Sequence, residues 1–271
     1  MRCVGAVWLW LALAVSASIP RVVPGQAVPV LRVGEKLTYD AKYDGPLFVS
    51  AGGRGVMEVA GIDTVNGRET YHVVFTFEGG LFWFHIRDRY DSWIDRERFV
   101  SLRFWQELSE GRHRRSRHYE IFPERGVFVE NDKPERRTVA EPLDDASLLY
   151  AVRTMPLDSG ARYDIPRYFI PDRNPVTLIV KRRERVTLLA GTFGAIVVQP
   201  LIKTTGLFSE GGQAQLWFSD DEHRYLLRLT AKVSFGTVHL TLRTIETPPS
   251  TSPDSRPRGR LPSVVSANAA R

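Results

Sequence analysis

Apolar and polar residues alternate along much of the chain. Residues 37–42, for example, read Leu-Thr-Tyr-Asp-Ala-Lys. Side chains on a strand point alternately to opposite faces, so a period of two predicts antiparallel strands with one buried face. We expect a glycine-rich turn around Gly52 and Gly53 after the first such segment, with the alternation resuming at Val56.

The dipeptide Asn66-Gly67 gives the strongest hairpin signal, because both turn residues tolerate positive φ. It separates alternating segments at Val56–Val65 and Thr70–Phe77. About a dozen strands predict a mainly β fold, either a curved antiparallel sheet or a half-open β-barrel. The remaining predicted strands are 37–41, 81–87, 90–94, 100–108, 115–122, 127–131, 176–188, 194–201, 213–219, 225–233 and 238–244.

One segment departs from the strand pattern. In residues 146–154 the side chains of Leu148, Leu149 and Val152 fall on one helical stripe, and Pro156 ends the run. Either of the two preceding aspartates, at positions 144 and 145, can cap the free amides of the first turn. We therefore expect one short helical insertion, packed against or across the sheet.

The first 17 residues have the composition of a secretory signal peptide. They contain Arg2, an apolar run from Val7 to Val15 and small residues up to Ala17, whereas a membrane-spanning helix needs about 20 apolar residues. We therefore expect a periplasmic or secreted protein with no transmembrane segment in its mature chain. Cys3 lies before the apolar run, so the mature chain would contain no disulfide.

Two further segments are rich in proline and poor in large apolar residues. Residues 18–30 predict a linker, and residues 247–271, which are rich in proline and serine, predict a disordered tail, because neither can bury enough apolar surface to offset the entropy of ordering. The sequence thus predicts one β-rich domain over residues 31–246.

The formal net charge is +6, with 37 lysines and arginines against 31 acidic residues. This excess favours contact with an anionic envelope component, such as a lipid, lipopolysaccharide or glycan. The alternative is that the charge only keeps the protein soluble. Nucleic acid is not an expected partner, because export removes the chain from it.

No catalytic motif is readable, and neither a cofactor nor a metal site is expected. The sequence lacks the Gly-x-Ser-x-Gly, His-Glu-x-x-His and Gly-x-x-x-x-Gly-Lys patterns. Its six histidines are scattered. Paired carboxylates for glycoside hydrolysis stay open, because their separation depends on the fold. The carboxylates available for such a pair are Glu35, Asp40, Asp44, Asp88, Asp95 and Asp220.

Arginines and aromatic residues supply the candidate binding groups. Alternate arginines on a strand can clamp a phosphate or carboxylate, or they can cover an outer face and block aggregation. Adjacent aromatic residues on a strand must face both ways, which favours either an apolar cavity or a sheet covered on both faces. The predicted ligand-binding residues are Tyr39, Trp83, Trp105 and Trp217 as apolar lining, with Arg115 and Arg117 as headgroup contacts.

Several segments together resemble the bacterial exported family known as domain of unknown function 3108. The resemblance spans nearly all of residues 31–246 and implies a β-rich periplasmic or surface-exposed domain, with no established activity. The segments are Val33-Gly34-Glu35 with Leu37 and Tyr39, Arg87–Tyr90 with Trp93 and Asp95, Asp145–Tyr150 with Arg153, Gly191–Phe193, Leu216–Asp221 and Phe235–Val238.

These observations leave three hypotheses. The first is a non-enzymatic binder or carrier that holds an apolar or amphipathic envelope molecule in a curved sheet, and it requires an interior that side chains do not fill completely. The second is an enzyme that acts on envelope polysaccharide through two carboxyl groups roughly 5 to 9.5 Å apart. The third is a structural partner in an envelope assembly.

Overall fold

The alternating segments form one continuous antiparallel sheet. The computed structural model describes residues 31–44, 50–81, 84–201, 214–233 and 236–248. The strands are β1 (Lys36–Asp44), β2 (Ser50–Val65), β3 (Arg68–Leu81), β4 (Phe84–Asp95), β5 (Ser101–Glu110), β6 (His113–Phe122), β7 (Val127–Glu130), β8 (Arg136–Arg137), β9 (Arg162–Ile165), β10 (Val176–Leu188), β11 (Gly191–Leu201), β12 (Gln215–Ser219), β13 (Leu226–Val233) and β14 (Gly236–Glu246). One α-helix, α1 (Asp145–Val152), lies between β8 and β9 in the chain.

The strand order is β8-β7-β6-β5-β4-β3-β2-β1-β14-β13-β12-β11-β10-β9. Two meanders, β1 to β8 and β9 to β14, therefore meet where β1 pairs with β14. This pairing joins Lys36 to Glu246 and Asp44 to Thr237. The sheet is not closed into a barrel, and the prediction of a mainly β fold with one short helix is confirmed.

The Asn66-Gly67 hairpin is confirmed, with φ of 51° and 77° at its two turn residues. The region after β3 differs from the prediction. One strand, β4, replaces the two segments predicted on either side of Asp88 and Arg89. These polar residues stay in the ladder because Asp88 is paired with Leu108 and Arg89 with Glu107 on the neighbouring strand.

The two faces of the sheet have different environments. The inner face is the one that carries Tyr39, Phe104 and Leu240 and contacts α1, and its side chains form most of the main hydrophobic core. The outer face of β4 and β5 carries a separate, smaller cluster around Trp93 and Leu102. The helix thus packs on one side of the sheet, as expected.

Helix α1 begins at a reciprocal cap. Asp144, rather than Asp145, accepts hydrogen bonds from the backbone N–H groups of Ala146 and Ser147, at 2.8 and 2.9 Å. The Ser147 hydroxyl oxygen in turn accepts a 2.8 Å hydrogen bond from the backbone N–H of Asp144. This arrangement satisfies amides that have no partner inside the helix. The helix ends at Val152, two residues before the predicted end.

The segments that follow the two edge strands meet in an edge contact, formed by residues 138–143 and 167–169. Leu143 and Tyr168 form an isolated parallel bridge. The Phe169 backbone N–H donates to the carbonyl of Leu143 at 2.9 Å, and the Thr138 hydroxyl donates to the carbonyl of Phe169 at 2.6 Å. The edge contact therefore links the two margins of the sheet, which are not paired with each other.

Candidate ligand-binding face

Burial on the inner face falls steadily toward one end of eight adjacent strands, β6-β5-β4-β3-β2-β1-β14-β13. On β1, Leu37, Tyr39 and Ala41 are buried, whereas Tyr43 is partly exposed. The same change occurs along each of these strands except β13, where the last described inner position is still buried. It runs toward the end where β1 leads to β2, β3 to β4 and β5 to β6. This part of the inner face is termed the open end.

Most of the partly exposed side chains at the open end are aromatic or aliphatic. Phe75, Phe77 and Tyr90 pack against the margin of the main core, and the ring centroids of Phe75 and Tyr90 are 5.9 Å apart. In the ladder Tyr90 pairs with Gln106, and Phe77 pairs with Asp88, which in turn pairs with Leu108. An apolar surface of this kind, left half uncovered by the fold, is suited to contact an apolar ligand.

Two glycines leave part of the open end without side chains. Gly53 on β2 pairs with Gly79 on β3, and both occupy inner-face positions. A Cβ atom on Gly53 would lie 2.4 Å from the Glu78 carbonyl oxygen, so the close approach of the two strands requires glycine here. The inner face therefore has a gap between Ala41 on β1 and Ile86 on β4, where neither of the two intervening residues has a side chain.

Polar groups border the apolar surface where α1 meets the sheet. The Tyr168 hydroxyl donates to Asp145 Oδ1 at 2.8 Å, and Gln106 Nε2 donates to Asp145 Oδ2 at 3.2 Å. Burial raises the pKa of Asp145. Arg117 and Arg115 occupy inner-face positions on β6, with Arg117 Nε 3.8 Å from Glu130 Oε1. The open end thus combines an apolar surface with cationic groups at one side.

The cap residue Asp144 is fully buried next to this border. It accepts a 2.6 Å hydrogen bond from the Ser92 hydroxyl in addition to its two backbone bonds. Burial nevertheless raises its pKa from 3.8 to about 6. A raised carboxyl pKa means that the folded state binds a proton more tightly than the unfolded chain, so the contribution of Asp144 to stability falls as the pH rises from about 4 to about 6.

The variant Asp144→Asn is expected to be more stable than the wild type at pH 7, by up to about 3 kcal/mol, because asparagine keeps the cap and carries no buried charge. The advantage should disappear near pH 4. Urea unfolding of both proteins across this range measures it. A wild-type advantage at pH 7 would show that the cap requires the ionised carboxylate.

The structure does not bring the six predicted ligand-binding residues together. Arg115 and Arg117 lie at the open end. Tyr39 is on the same face but wholly buried, and its hydroxyl donates to the Leu226 carbonyl at 2.9 Å. Trp105 and Trp217 lie on the outer face, and Trp83 is outside the described residues. Ligand contact by these residues stays a prediction.

The outer face of β3 to β6 carries a row of histidine and tryptophan rings in contact, which the sequence did not predict. His72 stacks on Trp93 with centroids 4.4 Å apart, Trp93 meets Trp105 edge to face at 4.9 Å, and Trp105 contacts His118 at 4.6 Å. The guanidinium of Arg103 lies 5.4 Å from both tryptophan rings. Trp93 is buried and Trp105 is only partly exposed, so the two rings do not form an open stacking surface.

Trp217 borders a different outer-face feature, an open depression of about 420 Å³ that Lys42, Arg228 and His239 also line. Its indole Nε1 donates to Glu184 Oε1 at 2.6 Å, and the Arg228 guanidinium lies 5.6 Å from its ring centroid. Trp217 is only 6% exposed. Apart from Trp217, the residues that line the depression are polar or charged.

Most carboxylates considered for glycoside hydrolysis are engaged in ion pairs. Four of them pair with an arginine, and Asp44 pairs with Lys42. Asp88 occupies an inner-face position at the open end. Within the described ranges, no group of three potential metal ligands is found. The pairs with arginine are Glu35–Arg153, Asp40–Arg243, Asp95–Arg68 and Asp220–Arg183.

Comparison with known proteins decides the family. The profile of the family described as "Protein of unknown function (DUF3108)" matches residues 38–243. The chain belongs to this family. No curated protein matches the DUF3108 chain significantly.

The solved structures that match the DUF3108 chain include one from Brucella abortus and one from Bacteroides fragilis. The first is a β-barrel-like protein of domain of unknown function DUF1849 from Brucella abortus, with a TM-score of 0.54 and 11% sequence identity over 80% of this chain and 99% of that one. The second, a protein with a YmcC-like fold from Bacteroides fragilis, has a TM-score of 0.26 and 10% identity over 80% and 97% of the two chains. The first likeness supports the β-barrel-like fold.

Two segments that carry the DUF3108 resemblance meet in a buried ion pair. Arg153 donates from Nη1 and Nη2 to the two carboxylate oxygens of Glu35, at 2.6 and 3.0 Å. Arg153 Nε also donates to the His223 carbonyl at 2.9 Å, and its guanidinium lies 5.4 Å from the ring centroids of Tyr150 and Tyr225. The pair fixes the end of α1 to the residue that precedes β1.

No helix in the part of the chain that the structure describes is long and apolar enough to cross a membrane.

Proposed function

We propose that this DUF3108 protein binds an amphipathic molecule of the bacterial cell envelope at the open end and does not alter it chemically. The apolar part of the ligand contacts Phe75, Phe77, Tyr90 and Leu108. An anionic headgroup lies toward Arg115 and Arg117.

The gradient of burial along the inner face is the observation that carries this proposal. Side chains near α1 fill the interior, but Phe75, Phe77 and Tyr90 remain partly exposed beside two glycines. Leaving large apolar side chains partly exposed forgoes part of the roughly 25 cal/mol per Å² that burial contributes. A bound acyl chain or other apolar group would recover that contribution.

Charge at the side of the open end supports an anionic headgroup. Arg115 is exposed and has no carboxylate partner among the described residues, and Arg117 is 3.8 Å from its nearest one. A guanidinium binds phosphate or carboxylate oxygens through parallel N–H bonds. The headgroup would therefore satisfy donors that the protein itself leaves available.

The proposed location of the ligand requires export. The apolar run from Val7 to Val15 and the small residues up to Ala17 support cleavage of a signal peptide and a periplasmic or secreted mature protein. Detection of the mature N-terminus by mass spectrometry of the protein from a periplasmic fraction tests this step.

The binding proposal is tested first by native mass spectrometry of the protein purified from bacteria, with organic extraction of whatever is bound. An environment-sensitive fluorescent fatty acid then serves as the probe. The substitution Phe77→Glu is expected to weaken probe binding at least about 10-fold, because it places a carboxylate against the acyl chain.

Thr76→Glu is the matched control, since residue 76 precedes Phe77 and occupies the outer face of the same strand. It adds the same charge and should leave the probe affinity within about 2-fold of the wild type, or about 0.4 kcal/mol. A wild type that carries no ligand and does not bind the probe, or equal losses in both variants, would contradict the proposal.

A further inference from the structure

The tip of the β5–β6 hairpin concentrates positive charge next to the open end. Residues 112–115, termed the basic tip, read Arg-His-Arg-Arg, and all four are exposed. No described carboxylate lies within ion-pair distance of any of them. The segment 110–115 contains a single carboxylate, Glu110, against three arginines.

Arginines at the opposite end of the same strands are neutralised. Arg68, Arg96, Arg98 and Arg125 lie in or next to the turns that join β2 to β3, β4 to β5 and β6 to β7, and each pairs with a carboxylate. The distances are 2.9 Å for Arg68–Asp95, 2.7 Å for Arg96–Glu69 and 2.7 Å for Arg98–Glu124, and Arg125 pairs with Glu135. On the described parts of these strands, the arginines without a carboxylate partner therefore lie toward the end where the inner face is open.

Two other cations near the open end are paired with carboxylates. Lys42 Nζ is 2.9 Å from Asp44 Oδ1, and Arg87 Nε is 3.1 Å from Glu78 Oε1. Each pair cancels most of the field of its own cation, whereas the basic tip keeps three unpaired arginines within four residues.

From this asymmetry we infer that the basic tip docks the open end onto an anionic lipid bilayer. The inference rests on the proposed function, because docking at this position brings the ligand-binding face to the surface from which an amphipathic ligand would enter or leave. Phospholipid headgroups present the closely spaced phosphates that exposed arginines bind. Each arginine near such a surface contributes about 1 kcal/mol, and the attraction falls off within a Debye length.

The test measures co-sedimentation of the full mature chain with vesicles that contain either phosphatidylcholine alone or phosphatidylcholine with phosphatidylglycerol. Wild-type protein should bind only the anionic vesicles, and binding should weaken between about 50 mM and about 300 mM salt. The triple variant Arg112→Gln/Arg114→Gln/Arg115→Gln should lose roughly 100-fold in partition coefficient, from three contributions of about 1 kcal/mol each.

A charge-matched control removes three exposed basic residues elsewhere, Arg137→Gln/Lys181→Gln/Arg185→Gln. Its partition coefficient should stay within about 3-fold of the wild type, about 0.7 kcal/mol. Equal losses in both triple variants would overturn docking by the tip and assign the effect to net charge. Binding to neutral vesicles, or to a soluble acidic polysaccharide in place of vesicles, would overturn the choice of partner.

The vesicle experiment tests docking and the fluorescent-probe experiment tests ligand binding, so one proposal can be contradicted without the other. Phe77→Glu is assayed with the probe and without vesicles, and it reports on the ligand surface alone. The triple variants are assayed with vesicles and without the probe, so Arg115, which belongs to both surfaces, is tested there only for docking. If the wild type bound vesicles through the basic tip but did not bind the probe, the docking inference would stand and the ligand-binding proposal would be contradicted.

Discussion

Replacing Glu35 with alanine is expected to lower the free energy of unfolding by about 3–5 kcal/mol, because it leaves the Arg153 guanidinium largely buried without a counter-ion. The Glu35 side chain is 3% exposed and that of Arg153 is 16% exposed. Water therefore cannot replace the lost carboxylate fully. The loss should also loosen α1, whose last turn Arg153 follows directly.

Urea unfolding at neutral pH measures this change, with Asp40→Ala as the control. Asp40 also pairs with an arginine, Arg243, but both side chains are about half exposed. An exposed pair of this kind contributes at most about 1 kcal/mol. Equal losses in the two variants would mean that Glu35–Arg153 contributes no more than a surface pair. The double variant Glu35→Leu/Arg153→Met should recover much of the stability, since it removes both charges.

The second large effect is expected for Phe169→Ala, at about 3–5 kcal/mol of lost stability. Phe169 is 1% exposed and makes edge-to-face contacts with Phe104, Tyr119 and Phe128, at centroid distances of 6.3, 5.0 and 5.3 Å. Its backbone belongs to the edge contact that links the two margins of the sheet. Truncation therefore leaves a cavity at the place where those margins are joined.

Thermal and urea unfolding of Phe169→Ala and Phe122→Ala give the comparison. Phe122 is partly exposed, so its truncation removes the same atoms from a less buried site and should cost distinctly less. Hydrogen exchange adds a local measurement, because amides of β8 and β9 should lose protection in the Phe169 variant before those of β1 and β14. Uniform loss of protection would argue against a local role for the edge contact.

Local patterns in the sequence were sufficient for the fold. The alternation and the Asn66-Gly67 turn placed the central hairpin, and the two aspartates before residue 146 marked the start of α1. The choice between Asp144 and Asp145 depended on tertiary contacts, since Ser92 and Ser101 from the sheet surround Asp144. The break predicted at Asp88-Arg89 was wrong because cross-strand pairing holds polar residues in the ladder.

The candidate site was harder to predict because alternation does not reveal which face is inside. In the pair Phe104-Trp105 the smaller ring is buried in the core and the tryptophan faces outward. Outward tryptophans would be exposed if the sheet were bare, but Arg103 and Arg228 extend across them. The partly exposed Phe75 and Phe77 lay in a correctly predicted strand, yet their exposure depends on where the core ends, which only the fold determines.

The pairing of β1 with β14 has a consequence for how the chain reaches its native state. Each meander consists of neighbours in sequence, so most strand pairs form between residues close along the chain and can assemble early. The junction between the meanders instead joins residues about 200 positions apart, and it lies in the middle of the sheet. Until β14 is synthesised, β1 and β13 each present an unpaired edge, and chains aggregate on surfaces of this kind. Completion of β14, which pairs with both strands, is therefore the step that covers these two edges.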